Sequence, residues 1–258
     1  MIEETKDWKV LLKRPAKVIY RDRDKVIKVF DHNFSVADVL NESLNQARVQ
    51  ETDLRIPELL EVGKTREGKW AICMEYVEGQ TLAQAIEEAK SKSPDKAQEL
   101  LGLFVDIQLK MFKKSTRLLN SLREKTIRQI GEAALDPVVR YDLHTRAESM
   151  PRESHLCHGD FNPSNIILTP DGQDCIIDWS HATQGEPAAD VARTYLLFKL
   201  AKQDDEAEKY LDLIGQKGEL RRSDIQRWLP LVAACQTLKG NQTERDFLMK
   251  WVNVVDFE

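Results

Sequence analysis

The chain has 258 residues, 31% of them charged and 41% hydrophobic, with a formal net charge of -5. That length allows one large domain or two lobes around a sizeable core, and the polarity is that of a soluble globular protein. The acid excess disfavours nucleic acid and anionic membranes as partners and is compatible with a cationic small molecule. An acidic start at residues 1–7 and the lack of any long apolar stretch give the expectation of a cytoplasmic protein with no signal peptide and no membrane span.

Strand signals come first. Val18-Ile19-Tyr20 and Val26-Ile27-Lys28-Val29-Phe30 are rich in β-branched residues and flank a charged turn at 21–25, which predicts a hairpin. Ser35 with Asp38 three residues on marks a helix start, and Val36, Val39, Leu40, Leu44 and Ala47 recur at helical spacing. Pro57 closes that region; residues 59–62 and 70–74 predict two further strands around Gly63 and Gly68. The segment Met74-Glu75-Tyr76-Val77-Glu78-Gly79 then runs into a capping box at Thr81 and Gln84.

From there the pattern is helical. Residues 82–89, 94–112, 122–130, 137–148, 187–200, 206–214, 224–238 and 243–255 carry helical periodicity or caps, with further capping boxes read at Ser223/Gln226 and Thr243/Asp246. Trp228 and Trp251 read as core residues. Cys73, Cys157, Cys175 and Cys235 have neither metal-ligand spacing nor the pattern of a disulfide framework, and His155 has no evident partner.

The chemistry is concentrated in His158-Gly159-Asp160-Phe161-Asn162-Pro163-Ser164-Asn165 and, further on, Ile176-Ile177-Asp178-Trp179. Asp160, in a tight loop opened by Gly159, can accept a hydrogen bond from a substrate hydroxyl and take its proton. Asn165 offers a neutral amide oxygen and Asp178 a charged one, the hard donors that suit Mg2+. Two short apolar strands, 166–168 and 175–177, with a Pro170-Asp171-Gly172 turn, would bring Asn165 and Asp178 to the same end of a hairpin. A carboxylate base, an amide five residues later and a second carboxylate are the parts of a magnesium-nucleotide phosphoryl transfer.

His158-Gly159-Asp160 with Asn165, followed by Asp178-Trp179, resembles the catalytic loop of the aminoglycoside phosphotransferase and choline kinase superfamily, a variant of the protein-kinase loop. The resemblance can be followed from Tyr20 to Leu197 and is strongest between His158 and Arg193. It implies a two-lobed α+β protein-kinase-like fold. A small antiparallel-sheet N-lobe with one helix would occupy residues 1–75, a hinge 76–80, and a larger, mostly helical C-lobe 81–258.

The same resemblance implies ATP as co-substrate, Mg2+ as cofactor and a small hydroxylated, possibly cationic acceptor. Asp160 would be catalytic, with Asn165 and Asp178 as metal ligands. Lys28, in a Val-Ile-Lys-Val setting, would hold the α- and β-phosphates, with Glu42 as its ion-pair partner and Glu51 as second choice. The Glu75 carbonyl and the Val77 amide would meet the adenine edge. His158 and Asp190 would support the catalytic loop, while Trp179, His181 and Glu186 would border the acceptor. One departure stands out: residues 11–17 lie where a Gly-rich phosphate loop is expected, yet no glycine precedes Gly63. Arg14 or Lys17 could supply charge instead, the loop could leave the phosphates open, or nucleotide binding could have decayed. An amino sugar or aminoglycoside-like acceptor is the first reading; a choline or ethanolamine kinase and a nucleotide- or partner-binding pseudokinase are the alternatives.

Overall fold

The computed structural model describes residues 1–116 and 118–252. In chain order the elements are β1 (Lys9–Arg14), β2 (Lys17–Asp22), β3 (Lys25–Phe30), α1 (Val36–Gln50), β4 (Leu59–Lys64), β5 (Trp70–Glu75) and β6 (Gln80–Thr81). There follow α2 (Leu82–Lys92), α3 (Pro94–Phe112), α4 (Leu122–Glu132), α5 (Pro137–Ser149), β7 (His155–Cys157), β8 (Ile166–Leu168), β9 (Cys175–Ile176) and β10 (Thr183–Gly185). Helices α6 (Pro187–Leu200), α7 (Asp204–Lys217), α8 (Arg222–Gln236) and α9 (Gln242–Val252) follow among the described residues; the last three residues of the predicted helix 243–255 lie outside them. The layout is a two-lobed α+β protein-kinase-like fold. Residues Met1–Ala85 with Pro163–His181 form one compact unit, and Ile86–Asn162 with the residues from Ala182 onward form the other.

The sheet-bearing unit is built on an antiparallel sheet of order β1-β2-β3-β5-β4. The predicted hairpin is β2 and β3, and its turn tightens to Arg23-Asp24, with Arg23 in the left-handed region at φ 55°. Ahead of it the structure adds β1, a strand where the sequence reading expected only a phosphate loop. Every residue of β1 is exposed, so the alternation of buried and exposed positions that announces a strand is absent from this edge. One sheet face packs Ile27, Val29, Ala71 and Cys73 with Ile2, Trp8 and Tyr20. The opposite face packs Phe30, Ile72 and Met74 with Val39 of α1.

Ser35 caps α1 as read, its hydroxyl accepting from the Asp38 amide at 3.3 Å. The helix nevertheless buries a different face from its apolar one. Val36, Leu40 and Leu44 are 43–47% exposed, while Glu42, Ser43, Asn45 and Gln46 are buried with Val39 and Val49. The polar side is the one with partners: Gln46 donates to the Pro57 carbonyl at 2.5 Å and Glu42 meets Lys28. Hydrogen bonding to fixed partners lowers the cost of burying Glu42 and Gln46.

Thr81 and Gln84 form the reciprocal capping box read from the sequence, with bonds of 3.0 and 3.2 Å. Strand β6 beside them pairs with β8, which pairs with β9. Gly79 precedes this strand at φ +147°, and a Cβ there would lie 2.2 Å from the Leu168 carbonyl oxygen. Gly79→Ala is therefore expected to cost about 2 kcal/mol or more through backbone strain and overlap, read as a lower urea midpoint with an unchanged slope.

In the helical unit, Phe104, Phe161, Phe198 and Tyr210 pack ring to ring at centroid distances of 4.7–5.9 Å. Short strands β7 and β10 pair antiparallel, placing Cys157 opposite Thr183. Two caps differ from the reading. Helix α8 starts one residue before Ser223, with Arg221 at its N-cap and no side-chain cap bond, so no Ser223/Gln226 box forms. At α9 the box is Asn241/Glu244, with bonds of 3.0 and 3.3 Å, in place of Thr243/Asp246. Helix α7 opens earlier than predicted because Asp204, Asp205 and Glu206 occupy its first turn. There they complement the helix dipole, and Asp204 and Glu206 meet Lys199 and Lys90 at 2.9 and 2.8 Å. Among the described residues no helix is long and apolar enough to cross a membrane.

Candidate active site

In the sheet-bearing unit, β3 delivers Lys28 and α1 delivers Glu42, both less than a tenth exposed. Lys28 Nζ lies 2.7 Å from Glu42 Oε1 and 3.1 Å from Asp178 Oδ1. Burial by itself would lower the lysine pKa; attraction to Asp178 and Glu42 outweighs it and holds the ammonium charged, with the pKa raised. Glu51, the second choice, is an exposed C-cap residue of α1. Asp178 follows β9 with φ +65°, a left-handed conformation that aspartate tolerates better than most residues. A short 3-10 helix, Trp179–His181, begins directly after it, and Asn45 of α1 donates to its Ser180 carbonyl at 3.3 Å.

The hairpin formed by β8 and β9 behaves as read. Ile166 pairs with Ile176, and one step beyond, the Ile177 amide donates to the Asn165 carbonyl at 2.9 Å. Asn165 and the residue preceding Asp178 are thus neighbours at one end of the pair. The turn at the other end is closed by Gly172 donating to the Thr169 carbonyl at 3.0 Å, with Gly172 at φ +77°. A carboxylate and an amide are donors suited to Mg2+, which needs only one or two protein groups and takes water and phosphate oxygens for the rest. Among the described residues no three His, Cys, Asp or Glu side chains gather as an all-protein metal cage. The donor set therefore fits magnesium better than a structural transition metal.

At the end of β5 the Glu75 amide donates to the Glu58 carbonyl at 2.9 Å and the Tyr76 amide to the Asp24 carbonyl at 2.7 Å. The Glu75 carboxylate is clamped by both terminal nitrogens of Arg55. Tyr76 carries the Arg21 guanidinium 3.7 Å above its ring, and Val77 is buried.

In the helical unit, the loop after β7 is held from α6. Asp190, buried to 1%, accepts from the Gly159 amide at 2.6 Å and from Gln108 Nε2 at 3.2 Å. Burial raises its pKa, opposed by His158 and by the Gly159 hydrogen bond. Tyr210 donates to Gln108 at 2.6 Å, and Thr194 donates to the Phe161 carbonyl at 2.8 Å, so a buried polar chain backs the loop. His158, also buried, accepts from the Asp160 amide through Nδ1 at 3.2 Å. Asp190→Asn would set an amide N–H₂ against either Gly159 or Gln108. It is expected to cost about 1–3 kcal/mol of stability in urea unfolding and to lower kcat with little change in nucleotide affinity.

Arg193 was missed by sequence reasoning. Its Nη2 lies 3.2 Å from Asp160 Oδ1 and its Nε donates to the Gly159 carbonyl at 3.3 Å. Burial lowers the guanidinium pKa, and Asp160 works against that. The signal was available: Arg193 stands three residues after Asp190 at a helix start, one turn along the same face. Gln108 gave no such signal, being one polar residue among the several that α3 carries, the others of which lie mostly on its exposed side.

The acceptor candidates fare unevenly. Trp179 is 1% exposed and its indole N–H is bound to the Ile176 carbonyl at 3.1 Å, so it is a packing residue with no face for an acceptor. His181 is half-buried at the end of the 3-10 helix. Glu186, at the N-cap of α6, accepts from Trp228 Nε1 at 2.7 Å, and burial raises its pKa. It borders a cavity of about 410 Å³ in the helical unit, shared with Glu124, Glu148, Glu153, Arg123 and Arg152. His155 does have partners: the Phe112 carbonyl at 2.7 Å and Glu153 at 3.3 Å.

The fold, with a charged lysine held between two carboxylates in the sheet-bearing unit and a braced aspartate loop in the helical unit, is of the protein-kinase-like class. A family model described as the phosphotransferase enzyme family matches residues 16–225, most of the chain, and the protein belongs to that family. Among solved structures, it is similar to a thermostable mutant of aminoglycoside phosphotransferase APH(4)-Ia in ternary complex with ADP and hygromycin B. The TM-score is 0.68 at 17% identity, covering 95% of this chain and 92% of that one. It is also similar to wild-type aminoglycoside 2'-phosphotransferase-IIIa in its GDP complex, with TM-score 0.61 and 16% identity over 96% and 92% of the two chains. At such identity the likeness speaks to the fold. No curated protein sequence gives a significant match.

Proposed function

We propose that this protein is an ATP-dependent, Mg2+-requiring small-molecule kinase that transfers the γ-phosphoryl group to a hydroxyl of an amino sugar or aminoglycoside-like acceptor in the cytoplasm. The observation that carries the reading is the Lys28 ammonium held between Glu42 and Asp178, because phosphoryl transfer needs a fixed cation beside a metal-binding carboxylate. In this reading residues 1–75 bind nucleotide, 76–80 are the hinge, and 81–258 carry the acceptor. Lys28 holds the α- and β-phosphates in the orientation set by Glu42, and the Glu75 carbonyl and Val77 amide meet the adenine edge. Asn165 and Asp178 would hold Mg2+, which when bound neutralises charge on the phosphates. Asp160, oriented by Arg193, accepts the proton of the attacking hydroxyl, and His158 and Asp190 keep its loop in place. His181 and Glu186 are the acceptor candidates that keep partial exposure, and carboxylates such as Glu186 favour an acceptor bearing ammonium groups. The solved relatives include an ADP complex with hygromycin B and a GDP complex, which supports a nucleotide co-substrate and an aminoglycoside-like acceptor.

The test is ADP release from Mg-ATP against amino sugars, aminoglycosides, choline and ethanolamine, with product phosphorylation followed by mass spectrometry. Turnover stimulated by an amino sugar supports the proposal. Stimulation by choline or ethanolamine alone would move the acceptor class. Tight Mg-ATP binding without phosphorylation of any acceptor would leave a nucleotide-binding protein and overturn the enzyme assignment.

A further inference from the structure

The β1–β2 connection is only Pro15-Ala16, and neither residue has a positive φ. Strand register fixes what it presents. Arg14 lies opposite Lys17, Lys17 lies opposite Phe30, and Phe30 is two residues beyond Lys28 on β3. Directly opposed residues share a sheet face, as do positions i and i+2 along a strand. Arg14, Lys17 and Lys28 therefore stand on one face, together with Leu12 and Ile19, which sit opposite each other and opposite Lys28 in turn. The contacts agree with the register: Lys17 Nζ lies 5.9 Å from the Phe30 ring centroid, and Phe30 packs with Ile72, the residue opposite Lys28.

The turn is also tied down, since the Asp31 amide donates to the Ala16 carbonyl at 2.9 Å. Arg14 on β1 lies two strand spacings across and two residues along from Lys28 on β3, about 12 Å, which two long cationic side chains can bridge onto one polyphosphate. Between them Leu12 is 41% exposed and Ile19 half-buried, leaving an apolar, partly open floor.

We propose that Arg14 and Lys17, at either side of the Pro15-Ala16 turn, grip the outer phosphates of the nucleotide by side-chain charge, on the same sheet face as Lys28. This inference rests on the nucleotide-binding reading given above. It replaces the backbone amides that a Gly-rich loop would offer with two cations, at a turn whose proline has no N–H to give. It predicts a nucleotide site that discriminates by phosphate number and weakens with salt.

Calorimetric titration of Mg-ATP, Mg-ADP and adenosine tests it, using wild type, Arg14→Met, Lys17→Met, the double variant and Lys13→Met, each at low and moderate salt. Lys13 faces the other side of β1, opposite Val18, and is the control for net charge. Each single variant is expected to weaken Mg-ATP binding roughly tenfold and the double variant more, with a smaller loss for ADP, none for adenosine, and a flattened salt dependence. A double variant that binds Mg-ATP within about twofold of wild type, or a Lys13→Met variant that loses as much as Arg14→Met, overturns the inference and leaves the kinase reading standing. Wild-type protein that binds none of the three ligands overturns both.

Discussion

Asp160→Asn is expected to lower kcat by about 10²- to 10⁴-fold while Mg-ATP binds with nearly unchanged affinity. The substitution is close to isosteric. Arg193 Nη2 can still donate to the side-chain oxygen, and the Gly159 and His158 contacts of the loop are main-chain or belong to other side chains. What disappears is the capacity to take a proton from the attacking hydroxyl. Asp178→Asn should behave differently. That side chain pairs with Lys28 and is the proposed charged ligand of Mg2+, so both nucleotide affinity and turnover should fall. Single-turnover kinetics with separately measured nucleotide dissociation constants decide the matter. Equal and mild effects of the two substitutions on both quantities would undo the division of roles.

How much of this was legible in the sequence depends on which physical signal each element leaves. Helix α3 and helix α6 were bounded correctly because Pro94 and Pro187 mark their starts and apolar periodicity runs to their ends. The β8–β9 hairpin was visible through a short apolar run on either side of a Pro-Asp-Gly turn. Strand β1 was not, because an edge strand exposed along its whole length has no buried face to impose alternation on its sequence. Helix α1 shows the opposite failure: three of its apolar residues, Val36, Leu40 and Leu44, are exposed, while the polar residues that reach Lys28 and Pro57 are buried beside Val39 and Val49. A hydrophobic pattern registers transfer free energy and is blind to a polar side chain whose partner lies elsewhere in the chain. The Lys28–Glu42 pairing was implied by the family resemblance, once strand and helix had each been recognised, and the two side chains meet at 2.7 Å. The Trp179 ring, read as lining an acceptor because it follows Asp178, turned out to be a packing residue.

Lys28→Met is expected to destabilise the protein by about 3–5 kcal/mol, the larger part of it from Glu42, whose carboxylate would remain buried without its counter-ion. The raised lysine pKa gives the pH dependence its sign. Protonation of Lys28 is favoured more in the folded state than in the unfolded one. Its contribution is therefore fully present below the ordinary lysine value of 10.5 and is lost as pH rises through the higher folded value. Urea unfolding between pH 6 and 9 should thus show a constant deficit for Lys28→Met, with no titration of the difference assignable to the lysine. The double variant Lys28→Met, Glu42→Met removes both buried charges, and two apolar side chains of similar length can be nearly neutral in such a place. The double variant should therefore recover much of the stability lost in Lys28→Met alone. It should not recover nucleotide binding, because the ammonium that meets the phosphates is gone. Recovery of stability without recovery of Mg-ATP affinity would mean that the pair is retained for the ligand and costs the fold little. Recovery of both would place the phosphate contact elsewhere, and a double variant as unstable as Lys28→Met would make Asp178, the remaining partner of the lysine, the group whose charge the fold cannot leave unpaired.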